Sequence, residues 1–193
     1  GDFTVMNVDI GGGTSKIAIV QAGKVIDTCA VEVGARLVAM DENGVINRLE
    51  DTALKIAKMA GIDLSLGGKM TEDDKDKFAK ALCDSLFEVM ERGPLSPQVQ
   101  DLLLTPNIEF KDPIHAVMFS GGVAEYVYAR ETRDFGDMGQ LLGAALRRRL
   151  DAGALAWPVL DAGECIRATA LGASEYSVQL SGNTTYISSP GRL

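Results

Sequence analysis

The stretch DIGGGTSK, residues 9–16, places a carboxylate, three consecutive glycines and two hydroxyl side chains between two strongly apolar runs. The preceding run FTVMNVDI (3–10) is apolar and β-branched enough to predict a buried central strand, and the following run KIAIVQ (16–21) predicts a second strand. A tight hairpin should therefore join them. Two interpretations of this hairpin stay open: an ordinary glycine turn with a solvated aspartate, or a loop whose backbone wraps around phosphates.

The context of the loop excludes the two common phosphate motifs. A dinucleotide fingerprint needs GxGxxG followed by a helix, whereas these glycines lead into a strand, and the P-loop pattern GxxxxGK[ST] is absent. A strand–GGG–strand hairpin can still bind phosphate, because glycines that adopt positive φ let successive N–H groups converge on an anion. On this interpretation the backbone, hydroxyl and cationic groups for phosphate come from Gly11, Gly12, Gly13, Thr14, Ser15 and Lys16.

The aspartate at the end of the first strand needs its own explanation. An unpaired buried charge is costly, so a carboxylate that ends a buried strand is unfavourable for the fold alone. Asp9 makes sense if it faces a cleft, where it could hold a hydrated Mg²⁺ or position an attacking water. We therefore predict Asp9 as the catalytic and metal-binding residue.

A second glycine-bearing turn lies far along the chain in FSGGVAEY, residues 119–126. A hydrophobic strand runs into Ser120-Gly121-Gly122, and a helix is predicted to begin after them. Without side chains in the way, such a turn can lie flat against a planar base or a sugar, although tight packing of strand against helix would also use glycine. The two glycine motifs together, in this order and with helices between them, are more specific than either alone.

The remaining elements indicate an α/β fold. KVIDTCAVEV (24–33) predicts a third strand of an antiparallel meander, and the segment 34–49 contains a DENG turn and predicts a small hairpin. Helical spacing follows from Glu50, with Leu54 on the apolar side and Gly61 as C-cap, and Thr71 with Asp74 predicts a capping box. Further along the chain the pattern predicts a short helix in 95–106, a helix with small residues in 137–150, a small-residue segment in 167–176 and a hairpin in 178–187. Without an internal boundary, the predicted fold class is α/β with a mixed sheet, in which the antiparallel three-strand meander is followed by parallel strands and flanked by helices.

Composition excludes several classes of function. The 193 residues are 46% hydrophobic and 24% charged, which is typical of a soluble globular protein, and the net charge of -8 argues against a nucleic-acid surface. The basic run RRR (147–149) is best explained as a solvated helix end. Neither a signal peptide nor an apolar run long enough to cross a bilayer is recognisable, which predicts a cytoplasmic protein without a membrane partner.

The cysteines and the histidine indicate no metal site of their own. Three cysteines, including Cys165, are far apart and lack CxxC spacing, which fits buried thiols in a reducing compartment. With His115 as the single histidine, a zinc cluster or a histidine-based triad is not expected, and His115 is predicted to be structural.

The two glycine motifs and their order resemble the actin/Hsp70/sugar-kinase superfamily of ATPases. There DIGGGTSK is similar to the phosphate-binding hairpin of the second lobe, and FSGGV to the adenosine-binding turn. More specifically, the chain resembles the ethanolamine ammonia-lyase reactivating factor family over nearly its whole length. The segments that carry this resemblance are VDIGGGTSKIAIVQAGKVIDTCAVEVGARL (8–37), RGPLSPQVQDLLL (92–104), FSGGVAEYVY (119–128), DMGQLLGAAL (137–146) and RATALGASEYSVQLSGNTTYI (167–187).

The resemblance implies an ATP site shared between two lobes. Members of the superfamily carry a phosphate hairpin in each lobe, so residues 1–193 are expected to form a single lobe, an actin-like (ribonuclease H-like) second half without its N-terminal lobe. ATP and Mg²⁺ are the implied cofactors. Carried over by motif, Asp9 would organise Mg²⁺ or water, and residues 11–16 would contact phosphate. The adenosine would be flanked by Gly121, Gly122 and Val123, and Glu125 would reach the ribose.

The implied function is an ATP-dependent, chaperone-like release of damaged cobalamin from adenosylcobalamin-dependent ethanolamine ammonia-lyase. That enzyme, ATP or ADP and the missing lobe would be the partners, and the resemblance also suggests association with a bacterial microcompartment. Alternatives on the same fold are a small-molecule kinase, an actin-like assembly or cell-division ATPase, and a non-hydrolysing interaction domain.

Overall fold

A computed structural model describes residues 3–161 of the chain. The predicted tail segments 167–176 and 178–187 and Cys165 lie outside these residues. In chain order the strands and helices are β1 (Thr4–Ile10), β2 (Ser15–Gln21), β3 (Lys24–Val31), β4 (Val38–Met40), β5 (Ile46–Leu49), α1 (Asp51–Ala60), α2 (Glu72–Met90), α3 (Pro97–Gln100), β6 (Ala116–Ser120), α4 (Ala124–Val127), α5 (Gly139–Asp151) and β7 (Val159–Leu160).

The main sheet has the strand order β3-β2-β1-β6-β7. Strands β1, β2 and β3 pair antiparallel as the predicted meander, whereas β6 pairs parallel with β1 and β7 parallel with β6. The predicted mixed α/β sheet is thus confirmed, and the predicted hairpin forms the separate pair β4-β5. The crossover from β1 to β6 contains α1, α2 and α3, which is the kind of connection a parallel pair requires.

The core lies on one face of this sheet. Because side chains alternate along a strand, Met6, Val8 and Ile10 of β1 share one face, and they belong to a large cluster with buried residues from α1 to α5. On the opposite face, Val5 of β1 and Met118 of β6 are buried in a small separate cluster, against which Leu160 packs. The five described helices therefore cover the same side of the sheet.

The two long crossover helices match the prediction, with one correction. Gly61 ends α1 in the left-handed conformation, and Thr71 with Asp74 forms the full capping box of α2. Leu54, expected on the apolar side of α1, is instead 46% exposed, because the buried face of α1 is formed by Thr52, Ala53, Ile56 and Ala57.

The helix after the second glycine turn is shorter than its sequence indicated. The segment EYVYAR predicted a helix, but α4 comprises only Ala124–Val127, and Ala129 has a φ of 56°. Gly143 allows α5 to pack closely on α4, since a Cβ at that position would lie 2.4 Å from Cβ of Tyr126. The predicted close packing by small residues of α5 is confirmed.

The basic run and the histidine both have structural contacts. In the run 147–149, Arg147 and Arg148 are exposed as predicted, whereas Arg149 pairs with Asp84 of α2 and stacks on the Phe87 ring at 4.3 Å. Nδ1 of His115 accepts a hydrogen bond from the Thr4 N–H at 3.0 Å, which confirms the structural assignment. Among the described helices, none combines the length and the apolar character needed to cross a bilayer.

Candidate functional site

The two glycine motifs, distant in sequence, touch in the structure. Because β1 and β6 run parallel, Asp9 at the end of β1 lies beside Ser120 at the end of β6. Gly121 follows with a φ of +83°, and a Cβ added to it would lie 2.5 Å from both Asp9 Oδ1 and the Ile10 carbonyl oxygen. Both the backbone conformation and the space therefore require glycine at this position. The two turns thus meet at the same edge of the sheet.

The hairpin loop differs from its predicted conformation. None of Gly11, Gly12 and Gly13 has a φ in the left-handed region, so the expectation that positive φ explains these glycines is wrong. The loop is closed by a hydrogen bond from the Gly11 N–H to the Thr14 carbonyl at 3.0 Å. A Cβ on Gly13 would meet nothing within 4 Å. The fold itself leaves open space at that glycine.

A segment that the sequence did not single out holds the loop in place. This segment, residues 34–36, is called the strap below. The N–H groups of Ala35 and Arg36 donate to the carbonyls of Gly11 and Gly12 at 3.0 and 2.6 Å. A Cβ on Gly34 would lie 2.4 Å from the Gly12 oxygen, so the strap approaches the loop at backbone contact. The local signal was the GAR sequence that begins three residues after the end of β3, which the sequence predicted only as part of a hairpin.

The strap also orients the N–H groups of the loop. The peptide bonds of the described chain are all trans, so each C=O points opposite to the N–H of the same peptide unit. Because the carbonyls of Gly11 and Gly12 point toward the strap, the N–H groups of Gly12 and Gly13 both point away from it. No hydrogen bond among residues 3–161 occupies these two donors. Two adjacent N–H groups with one direction at an exposed loop are suited to an anion.

A cavity of about 290 Å³ opens beside the loop. Its size is near the lower end of the range for small-molecule sites, and its surface is largely apolar. Five of the predicted binding residues line it, together with eight others. The lining residues are Ile10, Gly11, Gly12, Ala35, Arg36, Gly122, Val123, Glu125, Tyr126, Glu131, Phe135, Asp137 and Gly139.

The other predicted residues do not line this cavity. Gly13, Thr14 and Gly121 lie in the two turns next to lining residues, and Lys16 lies opposite Asp9 across the β1-β2 pair. The prediction that the Ser15 hydroxyl donates to phosphate is wrong. The Ser15 side chain is fully buried, and its Oγ donates to the Val33 carbonyl at 2.6 Å, so the hydroxyl stabilises the base of the hairpin.

Asp9 lies on the sheet face opposite the large core. Its carboxylate packs against Gly121, beside Ser120, whose hydroxyl donates to Oδ1 of buried Asn7 at 3.3 Å. Partial burial raises the pKa of Asp9 above its usual value, and the nearby positive charge of Lys16 counteracts this in part. A carboxylate whose charged form is disfavoured by burial gains most from a cation or a hydrogen-bond donor brought by a ligand.

Several residues of the cavity wall were missed by the sequence reasoning. Phe135 is 52% exposed at the rim, with the Arg133 guanidinium over its ring at 5.0 Å. The Tyr126 hydroxyl donates to the Arg133 carbonyl at 2.7 Å, and burial raises the pKa of Tyr126. Glu131 accepts hydrogen bonds from the side chain and backbone of Arg133 and from the Thr132 N–H, which lowers its pKa to about 2. The wall is thus an aromatic surface held by a network of its own, with no periodic pattern that could have marked it.

The described residues fit a magnesium ion only with help from a ligand. Within residues 3–161 no group of three or more His, Cys, Asp or Glu side chains could hold a metal. Asp9 alone beside a phosphate-type loop fits Mg²⁺, since this ion is usually bound by one or two carboxylates, water and substrate phosphates.

Comparison with known proteins gives a family match over nearly the whole chain. The sequence model of the family "Ethanolamine utilisation protein EutA" matches residues 2–190. The chain is 32% identical over 189 residues to the ethanolamine ammonia-lyase reactivase EutA of Salmonella typhimurium, covering 95% of this chain and 39% of that protein. It is 31% identical over 191 residues to the reactivase of the same name from Escherichia coli, again covering 95% of this chain and 39% of the relative.

The structural comparison is weaker. Component A of (R)-2-hydroxyglutaryl-CoA dehydratase from Acidaminococcus fermentans has a TM-score of 0.36 at 11% identity, covering 92% of this chain and 62% of that chain. An overlap with so low a TM-score supports no conclusion about this chain. The family match extends over nearly all of the sequence, and both curated relatives exceed 30% identity. The chain therefore belongs to the EutA family of ethanolamine utilisation proteins.

Proposed function

We propose that this chain is the nucleotide-binding lobe of an ATP-dependent reactivating factor for ethanolamine ammonia-lyase. The observation that carries the proposal is the meeting of two glycine turns at one cavity, where the strap directs two backbone N–H groups of the hairpin away from itself. Family membership adds the target enzyme, because the two curated relatives are named as ethanolamine ammonia-lyase reactivases. The release of damaged cobalamin is the reaction that this role implies.

The nucleotide would lie across the two turns. Its phosphates would be bound by the N–H groups of Gly12 and Gly13 and by the Thr14 hydroxyl, beside Asp9, which would hold Mg²⁺ through oxygen ligands. Its base would lie on the apolar wall that includes Val123 and the exposed ring of Phe135. Aromatic rings stack favourably on planar bases of any sequence, which suits an adenine.

The site in this chain would be half of the complete ATP site. The chain spans 39% of the length of each curated relative, and its described residues contain one hairpin of the DIGGGT type. A second lobe would supply the other phosphate contacts, and the nucleotide would shift the equilibrium between open and closed arrangements of the two lobes. That motion would do the mechanical work of cofactor release.

Replacement of Asp9 by alanine tests the proposal. In the full-length protein, Asp9→Ala is expected to lower ATP hydrolysis at least about a hundredfold while the protein still folds, because the ion or the attacking water loses its ligand. ATP hydrolysis would be measured alongside recovery of ethanolamine ammonia-lyase that has been inactivated with a damaged cobalamin. The control is Glu42→Ala, which removes an exposed carboxylate of the β4-β5 turn and should leave both activities unchanged.

An unchanged rate of ATP hydrolysis in Asp9→Ala would show that Asp9 has no catalytic role and is only a solvated residue of the hairpin. If the wild-type protein hydrolyses ATP but does not restore the activity of the lyase, the proposed ATPase activity would stand and the proposed reactivase function would be refuted. A strain that lacks the gene and still grows normally on ethanolamine would also count against the reactivase. The chain by itself should bind ATP weakly in calorimetry, since the proposed second lobe would supply the other phosphate contacts, and submicromolar affinity would contradict the shared site.

A further inference from the structure

The strap places one cation at the mouth of the cavity. Arg36 is the single Lys or Arg among the described residues that line it, and the carboxylates in the same lining are those of Glu125, Glu131 and Asp137. The side-chain stem of Arg36 runs beside the loop, since a Cβ on Gly12 would meet Cβ, Cγ and Cδ of Arg36 at 3.6 to 3.8 Å. Its backbone N–H is fixed on the Gly12 carbonyl. The base of this side chain is therefore held against the phosphate-type loop.

The charged end of Arg36 is held much less firmly. Its guanidinium lies 3.7 Å from Oδ2 of Asp137, which is beyond hydrogen-bond distance, and the Arg36 side chain is 47% exposed. Exposed ion pairs of this kind contribute little to stability. The Arg36 guanidinium can therefore exchange its partner at small cost.

Asp137, by contrast, is fixed without Arg36. Its side chain is 11% exposed, and Oδ1 accepts the Gly139 N–H at 2.8 Å at the start of α5. The backbone on either side of it is held as well, because Met138 N–H donates to the Ala35 carbonyl at 2.8 Å and Asp137 bridges to Ala39. A firmly held carboxylate thus faces an exposed guanidinium that no hydrogen bond in the described chain fixes.

We propose that Arg36 binds the phosphates of the nucleotide and that Asp137 holds its guanidinium when no nucleotide is present. A polyphosphate carries more negative charge than one carboxylate and accepts two parallel N–H bonds from a guanidinium, so it outcompetes Asp137. Asp137 is then an internal competitor that lowers affinity for any anion too weak to displace it. This inference rests on the proposed nucleotide site and adds to it the residue that discriminates by phosphate charge.

The exchange also connects the nucleotide to the helical layer. When Arg36 leaves, Asp137 keeps its bond to the Gly139 N–H but loses its counter-charge at the N-terminus of α5. Helix α5 packs on α2, where Arg149 pairs with Asp84. Phosphate binding at the strap therefore changes the electrostatics at the N-terminus of α5, the helix that packs on α2.

The test compares ligands that differ only in phosphate. In the full-length protein, calorimetry would give the affinities for ATP, ADP and adenosine in wild type, Arg36→Ala, Arg36→Lys and Asp137→Asn. Arg36→Ala should lower the affinity for ATP at least about tenfold, which is the usual loss for a charge-assisted hydrogen bond. The affinity for adenosine should change by less than about twofold. Arg36→Lys should recover part of the ATP affinity. Asp137→Asn, which keeps an oxygen acceptor for the Gly139 N–H, should raise the affinity for ATP severalfold.

The double variant Arg36→Ala/Asp137→Asn separates the proposed exchange from general electrostatics. If Asp137 acts through Arg36, Asp137→Asn should not raise the ATP affinity of a protein that already carries Arg36→Ala. An increase of the same size with and without Arg36 would overturn the proposed exchange of partners. Equal losses for ATP and adenosine in Arg36→Ala would overturn the phosphate role. Arg48→Ala is the matched control, since Arg48 is an exposed arginine paired with Glu50 away from the cavity, and it should change neither affinity.

The outcomes also distinguish this inference from the proposed function. Wild-type protein that binds neither ATP nor adenosine would refute the nucleotide site and the role of Arg36 together. Wild-type protein that binds both, with an ATP affinity unaffected by Arg36→Ala, would leave the site in place and refute the role of Arg36 alone. Thermal unfolding of each variant would show that the affinities come from folded protein.

Discussion

The two glycine turns of this chain use glycine for different physical reasons. At Gly121 the fold itself demands it, because φ is +83° and a Cβ would lie 2.5 Å from the Asp9 carboxylate and the Ile10 carbonyl. In the hairpin, Gly13 has an ordinary φ and open space where a Cβ would be, and Gly12 would make only normal contacts with Arg36. One turn needs glycine to exist. The other has glycine at positions 12 and 13, where the protein alone would accept a side chain, as the proposed close approach of phosphate would require.

The largest expected effect breaks the structural turn. Gly121→Ala forces a Cβ into backbone contact at a left-handed φ, and we expect it to lower the free energy of unfolding by about 3 kcal/mol or more. Urea unfolding would measure this. Gly122→Ala is the matched control, because a Cβ there meets nothing within 4 Å and φ is not left-handed, so stability should change by less than about 0.5 kcal/mol. Equal stabilities of the two variants would refute the contact between the two turns.

A smaller effect on binding alone is expected from the hairpin. Gly13→Ala should leave the unfolding midpoint unchanged, since the added methyl group faces open space. It should lower the affinity for ATP about tenfold, because the methyl group blocks the approach of phosphate to the loop. Calorimetry and urea unfolding of the same preparation would separate the two properties. Gly93→Ala, at another position with open space around its Cβ, should affect neither. A loss of stability in Gly13→Ala would mean that the hairpin needs its glycine for folding after all.

The smallest effect concerns the carboxylate between the two turns. Burial raises the pKa of Asp9 in the folded protein above 3.8, so the folded state binds more protons than the unfolded state at pH values between the two pKa values. Stability is therefore lost as the pH rises through that window. Asp9→Asn removes this loss, and the variant should melt slightly higher than wild type at neutral pH, with the difference vanishing below about pH 4.

Thermal unfolding across this pH range would check the prediction for Asp9→Asn. A variant that is less stable than wild type at neutral pH would show that the Asp9 carboxylate contributes to folding through its charge. The expected result, higher stability with lower ATP hydrolysis, is the usual trade-off at a functional site that keeps an unfavourable group.

Much of this architecture could be predicted from local patterns. The meander, the capping box of α2 and the C-cap at Gly61 each depend on residues close together in the chain, and the structure confirms them. Strand β7 was missed because Val159 and Leu160 form only two residues of ladder, which is too short for a periodic signal. The exposed side of Leu54 was also missed, since spacing alone does not say which side of a short helix meets the core.

The site shows the same division between local and distant information. Its glycines and Asp9 were recognisable from motif and order, whereas the strap, Phe135 and the Arg36–Asp137 pair were not. The hydroxyl of Ser15 illustrates the limit. In the sequence it is a phosphate donor in a polar run, and only its pairing with the Val33 carbonyl shows that it belongs to the hairpin's interior.

The amino-acid sequence by itself determined the order and type of the elements and the two motifs that mark the site. Hydrophobic period, caps and glycine runs are local properties, so they can be interpreted without knowledge of distant contacts. Only the tertiary structure decided which glycines the fold requires, what holds the hairpin loop and which carboxylate faces Arg36. Those features depend on contacts between segments far apart in the chain, such as β1 with β6 and the strap with residues 136–138, and local patterns carry no information about which distant segments will meet.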